Sequence, residues 1–347
     1  MADYPPNVTD TLLNEETPRC TFCAYFSYTQ RQVLAAILVV ISFLGVVGNV
    51  LVIAAVLLSR KLRRVTNCFV FSLSVADLLT SLFLPFSAVA ILNEHTWPLP
   101  TVLCSLTAFV FLTCLGCSIN SLACIAVNRY VLITKKRETY RRLYSSRRTT
   151  LAILIVWMIP LCTTGIPAIT GFIQLGFEPK YSSCTWVLAE SSPRYVFVLF
   201  AIFCPIQLTT IILHYMKVFL HIRKHTKAVG QTLNVPSGRL TISESVSNSG
   251  LTNNRNNHDY VAPERKKRNK LNIQVTKNLF VVVCAFVLCV LPYTLTLLLP
   301  NSRQVFPFAA TILMMNSCIN PIIYAIKHPQ FKTVFRCIVT RRFRDIS

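Results

Sequence analysis

The chain has 347 residues, of which 53% are hydrophobic and 14% charged, with a mean hydropathy of +0.52 and a formal net charge of +22. A soluble domain carries about a quarter charged residues, so composition excludes one and points to a membrane as solvent. The basic excess would suit nucleic acid, but its placement excludes that partner: 30 of the 35 Lys and Arg fall at the ends and loops on one side of the predicted spans and five on the other.

The first segment, 1–32, is polar and carries acids, so no cleavable signal is read there and the first span serves as an uncleaved anchor. Asn7-Val8-Thr9 is a glycosylation sequon. Seven apolar stretches follow, at about 33–58, 68–92, 103–127, 149–172, 195–215, 278–299 and 304–326. Each is long enough to cross the ~30 Å hydrocarbon core as a helix. The expected fold is all-α: a seven-transmembrane helix bundle over 33–326, then a short surface helix and tail over 327–347. The basic side of such a bundle is the inner one, which places the N-terminus outside, the C-terminus inside, and the basic loops against anionic lipid headgroups.

Ionisable groups are nearly absent from the stretches. Asp77 in the second and His214 near the end of the fifth are their only Asp, Glu, Lys, Arg or His. A charged group at membrane depth is costly and marks a functional site by default. A protonated Asp77 in a structural hydrogen-bond network is the plainer alternative.

Of 14 Cys, nine lie within spans, where Cys is a small apolar packer. Cys20, Cys23, Cys104 and Cys184 face the oxidising side. A bridge from Cys104, at the start of span three, to Cys184 in the second outer loop would tie that loop over the bundle mouth. The pairing of Cys20 and Cys23 stays open. The third inner loop, about 223–272, has basic edges around a Ser-, Asn-, Thr- and Gly-rich middle that cannot bury enough surface to fold. After Pro329, residues Phe331, Val334, Phe335 and Ile338 recur at helical spacing opposite Lys332 and Arg336, the pattern of an amphipathic surface helix. Cys337 within it is a candidate palmitoylation site, with a free thiol the alternative.

Several short motifs occur one per span and in order. They are Gly48-Asn49, then Leu73, Ala76 and Asp77, then Cys104 and Asn128-Arg129-Tyr130, then Trp157, Pro205, and Phe286, Cys289 and Pro292. Asn320-Pro321-Ile322-Ile323-Tyr324 closes the seventh. On these residues the chain resembles the rhodopsin-like (class A) G-protein-coupled receptors across all seven spans. The Asn-Arg-Tyr triplet and span-three pattern are also similar to melatonin receptors and moody-type orphan receptors.

The resemblance implies a receptor that binds an extracellular ligand within the bundle and activates heterotrimeric G proteins, with arrestin and receptor kinases as further partners. It implies a plasma-membrane location and no enzymatic activity. It assigns Asn128, Arg129 and Tyr130 to coupling, and Asn49, Asp77, Ser118, Phe286, Pro292, Asn316, Asn320, Pro321 and Tyr324 to an activation network. A structural sodium ion at Asp77 and Ser118 is implied, with no other cofactor.

Phe111 stands where amine receptors carry Asp, and Met314 where opsins carry the Schiff-base Lys. Neither an amine nor retinal is therefore expected. Phe86, Phe111, Leu115, Phe197, Tyr293 and Met314 are the expected pocket, suited to a small neutral or lipophilic ligand. Asn128 replaces the usual acid before Arg129, which implies basal signalling. Leu213 and Val290 replace the usual Tyr and aromatic. These departures keep a non-coupling, arrestin-biased or scavenging receptor as the alternative. A transporter is the remaining rival, opposed by the odd number of spans and the lack of charged helix faces.

Overall fold

The computed structural model describes residues 27–93, 96–187, 205–224, 274, 278, 280–296 and 304–346. Its helices are α1 (Tyr28–Leu58), α2 (Val65–Leu92), α3 (Thr101–Thr134), α4 (Arg137–Leu143) and α5 (Ser146–Ile169). Strands β1 (Gln174–Glu178) and β2 (Ser183–Val187) follow. Then come α6 (205–224), α7 (Phe280–Thr296), α8 (Phe306–Lys327) and α9 (Pro329–Val339).

Among the described residues, α1, α2, α3, α5 and α8 are each long and apolar enough to cross a membrane, and α7 is a shorter apolar helix. With α6 and α7 as the fifth and sixth, the spans form a seven-helix bundle. In hydrocarbon every backbone polar group must be satisfied internally, and a helix does this within one segment. Large apolar side chains such as Phe43, Leu154 and Leu288 point outward, as a lipid-facing surface requires.

Helix ends follow local chemistry. The Ser27 hydroxyl accepts from the Gln30 amide while the Gln30 side chain accepts from the Ser27 amide, a reciprocal capping box. That cap starts α1 at Tyr28 rather than 33 and takes in Arg31, which is buried. Helix α3 runs to Thr134, past the expected end at 127, so Asn128-Arg129-Tyr130 lies inside the helix. Pro329 opens α9 at a position where its missing N–H costs nothing, and the His328 ring caps the Phe331 amide.

Close crossings use small residues, as expected where lipid gives helices no hydrophobic reason to associate. A Cβ on Gly48 would meet the Pro321 side chain at 2.7 Å, and one on Gly116 would meet that of Pro160 at 2.6 Å. These two contacts seat α1 on α8 and α3 on α5. The Trp157 indole donates to the Ser72 hydroxyl at 3.0 Å and so joins α5 to α2. The expected amphipathic helix is α9, with Phe331, Val334 and Phe335 buried and Lys332 and Arg336 exposed.

Two elements were not expected. Helix α4 follows α3 after a two-residue break. Strands β1 and β2 form an antiparallel hairpin with Phe177 opposite Cys184. The fold remains a helical bundle, and the hairpin is an addition to one end of it. Asn7, Cys20, Cys23, Phe197 and nearly all of the third inner loop lie outside the described residues.

Candidate functional site

Three constellations lie along the bundle: an aromatic cavity under the hairpin, a polar cluster at Asp77, and a second polar cluster at Arg129.

The hairpin is fastened to α3 twice. Cys104 is disulfide-bonded to Cys184, and the Ser105 hydroxyl donates to the Leu175 carbonyl at 2.6 Å. Beneath it opens a cavity of about 90 Å³. Phe111, Leu115, Tyr293 and Met314 line it, as expected from the sequence. Phe86 does not. Its ring lies beside Phe83 at 5.8 Å, on a turn of α2 that follows the helix-interior Pro85.

The cavity also takes in Tyr181, Trp186 and Phe306, which the sequence reading missed. A signal for two of them was present. Tyr181 and Trp186 lie within three residues of Cys184, and a disulfide to α3 holds such neighbours over the bundle mouth.

The cavity reaches Asp77. This carboxylate is 1% exposed. One oxygen accepts from the Ser118 hydroxyl at 3.2 Å and the other from the Asn320 amide at 2.8 Å. Three helices thus meet at one acid. Of the polar residues assigned to the activation network, Ser118 and Asn320 bond it. The Asn49 amide instead donates to the carbonyls of Gly45 and Ser317 at 2.9 and 2.8 Å, joining α1 to α8. Asn316 is buried and lines the cavity without bonding Asp77. The amide oxygens of Asn49 and Asn320 have no hydrogen-bond partner.

Arg129 is also buried, at 3% exposure, and its Nε has no hydrogen-bond partner. No acid pairs with it among the described residues. Asn128 spends its amide on the Tyr140 hydroxyl of α4 at 3.2 Å, and its own oxygen is unpartnered. Tyr215 and Tyr324 lie close enough to sense the Arg129 charge, and both hydroxyls are buried without a partner.

Tyr215 was unexpected here. At the expected position Leu213 faces outward, half exposed, while Tyr215 turns inward against Phe280. Tyr130 points to α6, edge-on to His214 and under the Lys217 ammonium. Phe286 and Val290 are buried in the core, and the Tyr324 ring stacks on Phe331 of α9. Pro292 lies within α7. Cys337 is half-buried on α9. His328, between α8 and α9, is pushed down to about 4 by burial and then by the nearby Arg129 charge.

Residues 48–324 match the family described as 7 transmembrane receptor (rhodopsin family). The alpha-1A adrenergic receptor of Bos taurus is 31% identical over 314 residues, covering 85% of this chain and 65% of that protein. That of Oryzias latipes is 30% identical, covering 93% and 71%. The G-protein coupled receptor moody of Drosophila pseudoobscura pseudoobscura is 26% identical, covering 90% and 53%. The chain thus spans from about half to about 70% of these relatives' lengths. Squid rhodopsin shares the fold, with a TM-score of 0.69 at 18% identity over 93% of this chain and 89% of that one.

Proposed function

This chain belongs to the rhodopsin family of seven-transmembrane receptors, and from that premise we propose that it binds a small neutral or lipophilic extracellular ligand within the bundle and activates heterotrimeric G proteins. It acts at the plasma membrane, with the N-terminus outside and the C-terminus inside, the orientation that the Lys and Arg asymmetry supports. The hairpin end then faces outward and the Arg129 end faces the cytoplasm.

The observation that carries the coupling reading is the buried Arg129, whose Nε has no acceptor and which has no acid partner among the described residues. A buried charge without an acceptor is costly. An incoming partner that offers carbonyls or a carboxylate relieves that cost, and Arg presents five donors in a fixed fork to receive it. Tyr215, Tyr324 and the Asn128 oxygen supply further unsatisfied polar groups around the same place. Agonist shifts the population toward the receptive state by its differential affinity for that state.

The adrenergic receptors among the relatives raise the question of an amine ligand. Phe111 places a ring where the resemblance to amine receptors calls for an acid, and among the described residues Asp77 is the one carboxylate in the cavity lining. It bonds Asn320, 14 residues along α8 from Phe306 and so about 20 Å of helix from the aromatic end of the cavity. The lining therefore favours a neutral ligand.

A sodium ion fits the Asp77 cluster by donor chemistry: the carboxylate, the Ser118 hydroxyl and the unpartnered Asn320 oxygen are all hard oxygens. When bound, the ion would balance the Asp77 charge and favour the resting state. Cys114, buried nearby, contributes a thiol and no such donor. Arrestin and receptor kinases are further proposed partners, acting on Ser and Thr within 241–252. Deleting residues 237–257 is expected to leave coupling intact and slow desensitisation; unchanged desensitisation would count against those sites.

The test of coupling is agonist-free nucleotide exchange in membranes, wild type beside Arg129→Ala. Signal above background that the substitution removes supports the reading. If full exchange persists in Arg129→Ala, the role given to Arg129 is wrong. No exchange in either, even in the presence of a ligand shown to bind, would favour a non-coupling receptor.

A further inference from the structure

The cavity under the hairpin is smaller than a receptor ligand needs. At about 90 Å³ it falls well below the roughly 300–1,000 Å³ of ordinary ligand pockets. It is also below the ~150 Å³ apolar cavity that accepts a single benzene. One of the side chains that line it, Tyr181, comes from the hairpin itself.

Tyr181 sits on the tight turn Pro179–Tyr181 between the strands, and the next residue, Ser182, has a left-handed backbone with φ of 43°. From there the Tyr181 ring stacks on Phe306 at the start of α8, with centroids 4.3 Å apart and planes at 27°. Phe306 in turn packs against Tyr293 of α7 at 5.5 Å and 51°. Phe306 and Tyr293 are buried, Tyr181 is half-buried, and all three line the cavity. The Lys180 ammonium lies 5.4 Å from the Tyr181 ring centroid.

We propose that Tyr181 is a tethered occupant of the ligand site, and that the ligand is a neutral molecule whose aromatic ring displaces Tyr181 and stacks on Phe306 in its place. The inference rests on the reading of this cavity as the ligand site and specifies what enters it. Offset stacking of this kind prefers centroids about 4.5–7 Å apart, and any planar ring of suitable size reproduces it. The disulfide and the Ser105 bond hold the strands to α3, and Tyr181 lies on the turn beyond them, so moving its ring off Phe306 requires neither fastening to break. The ring is neutral because, among the described residues, the lining offers a cation no acid beside Phe306. Asn320, which bonds Asp77, lies 14 residues along α8 from Phe306, about 20 Å of helix away.

The test uses 4-methylphenol, the tyrosine side chain as a free molecule, on the purified full-length receptor in lipid nanodiscs. Thermal unfolding is followed for wild type, Tyr181→Ala and Tyr181→Phe. Tyr181→Ala is expected to gain a saturable rise in Tm of several degrees, with no rise in wild type or Tyr181→Phe. Tyr181→Val is the second variant, expected to respond as Tyr181→Ala does. The cation 4-methylbenzylamine is expected to leave all of them unchanged.

Equal responses in wild type and Tyr181→Ala, or none in either small variant, overturn the proposal. A larger rise with the amine overturns the neutral class of ligand. The measurement involves no G protein, so its failure is separate from a failure of coupling.

Discussion

Asp77 and Arg129 are both ionisable and both buried, yet the fold treats them oppositely. Asp77 receives a donor on each oxygen, from α3 and from α8. Arg129 has no acid partner among the described residues, and two of the tyrosines near it, Tyr215 and Tyr324, have buried hydroxyls that are themselves unsatisfied. A satisfied buried charge joins the elements that bond it. An unsatisfied one stores free energy that a partner can release. The first cluster holds three helices together, and the second is left open in the way the proposed coupling requires.

The largest expected effect sharpens the second half of the comparison. Arg129→Ala removes the group that an incoming partner completes, so agonist-free nucleotide exchange falls to background. For Asp77 the expected loss is of stability. Asn320→Ala leaves one carboxylate oxygen without its donor, at about 3 kcal/mol, read as a lowered Tm. An unchanged Tm would remove Asp77 from its structural role.

Next comes pH. His328 titrates at about 4 in the fold, below its ordinary value near 6.5. The state with α9 undocked therefore binds more protons between those values. Stability is complete above about 6.5 and declines as pH falls through the window, by about 2 kcal/mol at pH 5. His328→Asn keeps a capping side chain without the titration, so its thermal unfolding is expected to lose this slope. The smallest effect is Tyr140→Phe. It removes the hydroxyl that accepts from Asn128, at about 1 kcal/mol, and slightly raises basal exchange by loosening α4 from α3.

The spans were legible because hydrocarbon demands long uncharged runs. Asp77 was legible because hydrocarbon tolerates a lone acid only where the fold holds partners for it. Tertiary packing decided what the sequence did not show. The hairpin's short strands carry a weak pattern, and their place depends on the disulfide to α3. Helix α6 turns Tyr215 inward and Leu213 outward, a choice of face that a single sequence does not reveal. Phe86 follows Pro85, and its distance from the cavity reflects local geometry rather than residue type. Phe306 was passed over because an aromatic at the start of an apolar span looks like any other core residue. Only its stack with Tyr181 and Tyr293 singles it out.

The central claim is that Arg129 is held too weakly to keep the receptor silent. The most direct measurement is agonist-free nucleotide exchange in membranes for wild type beside Asn128→Asp, at matched surface expression. Wild type is expected to signal without agonist, and the new carboxylate to cut that signal several-fold by pairing with Arg129. Equal exchange in the two, at any level, would show that the missing acid beside Arg129 does not set basal activity.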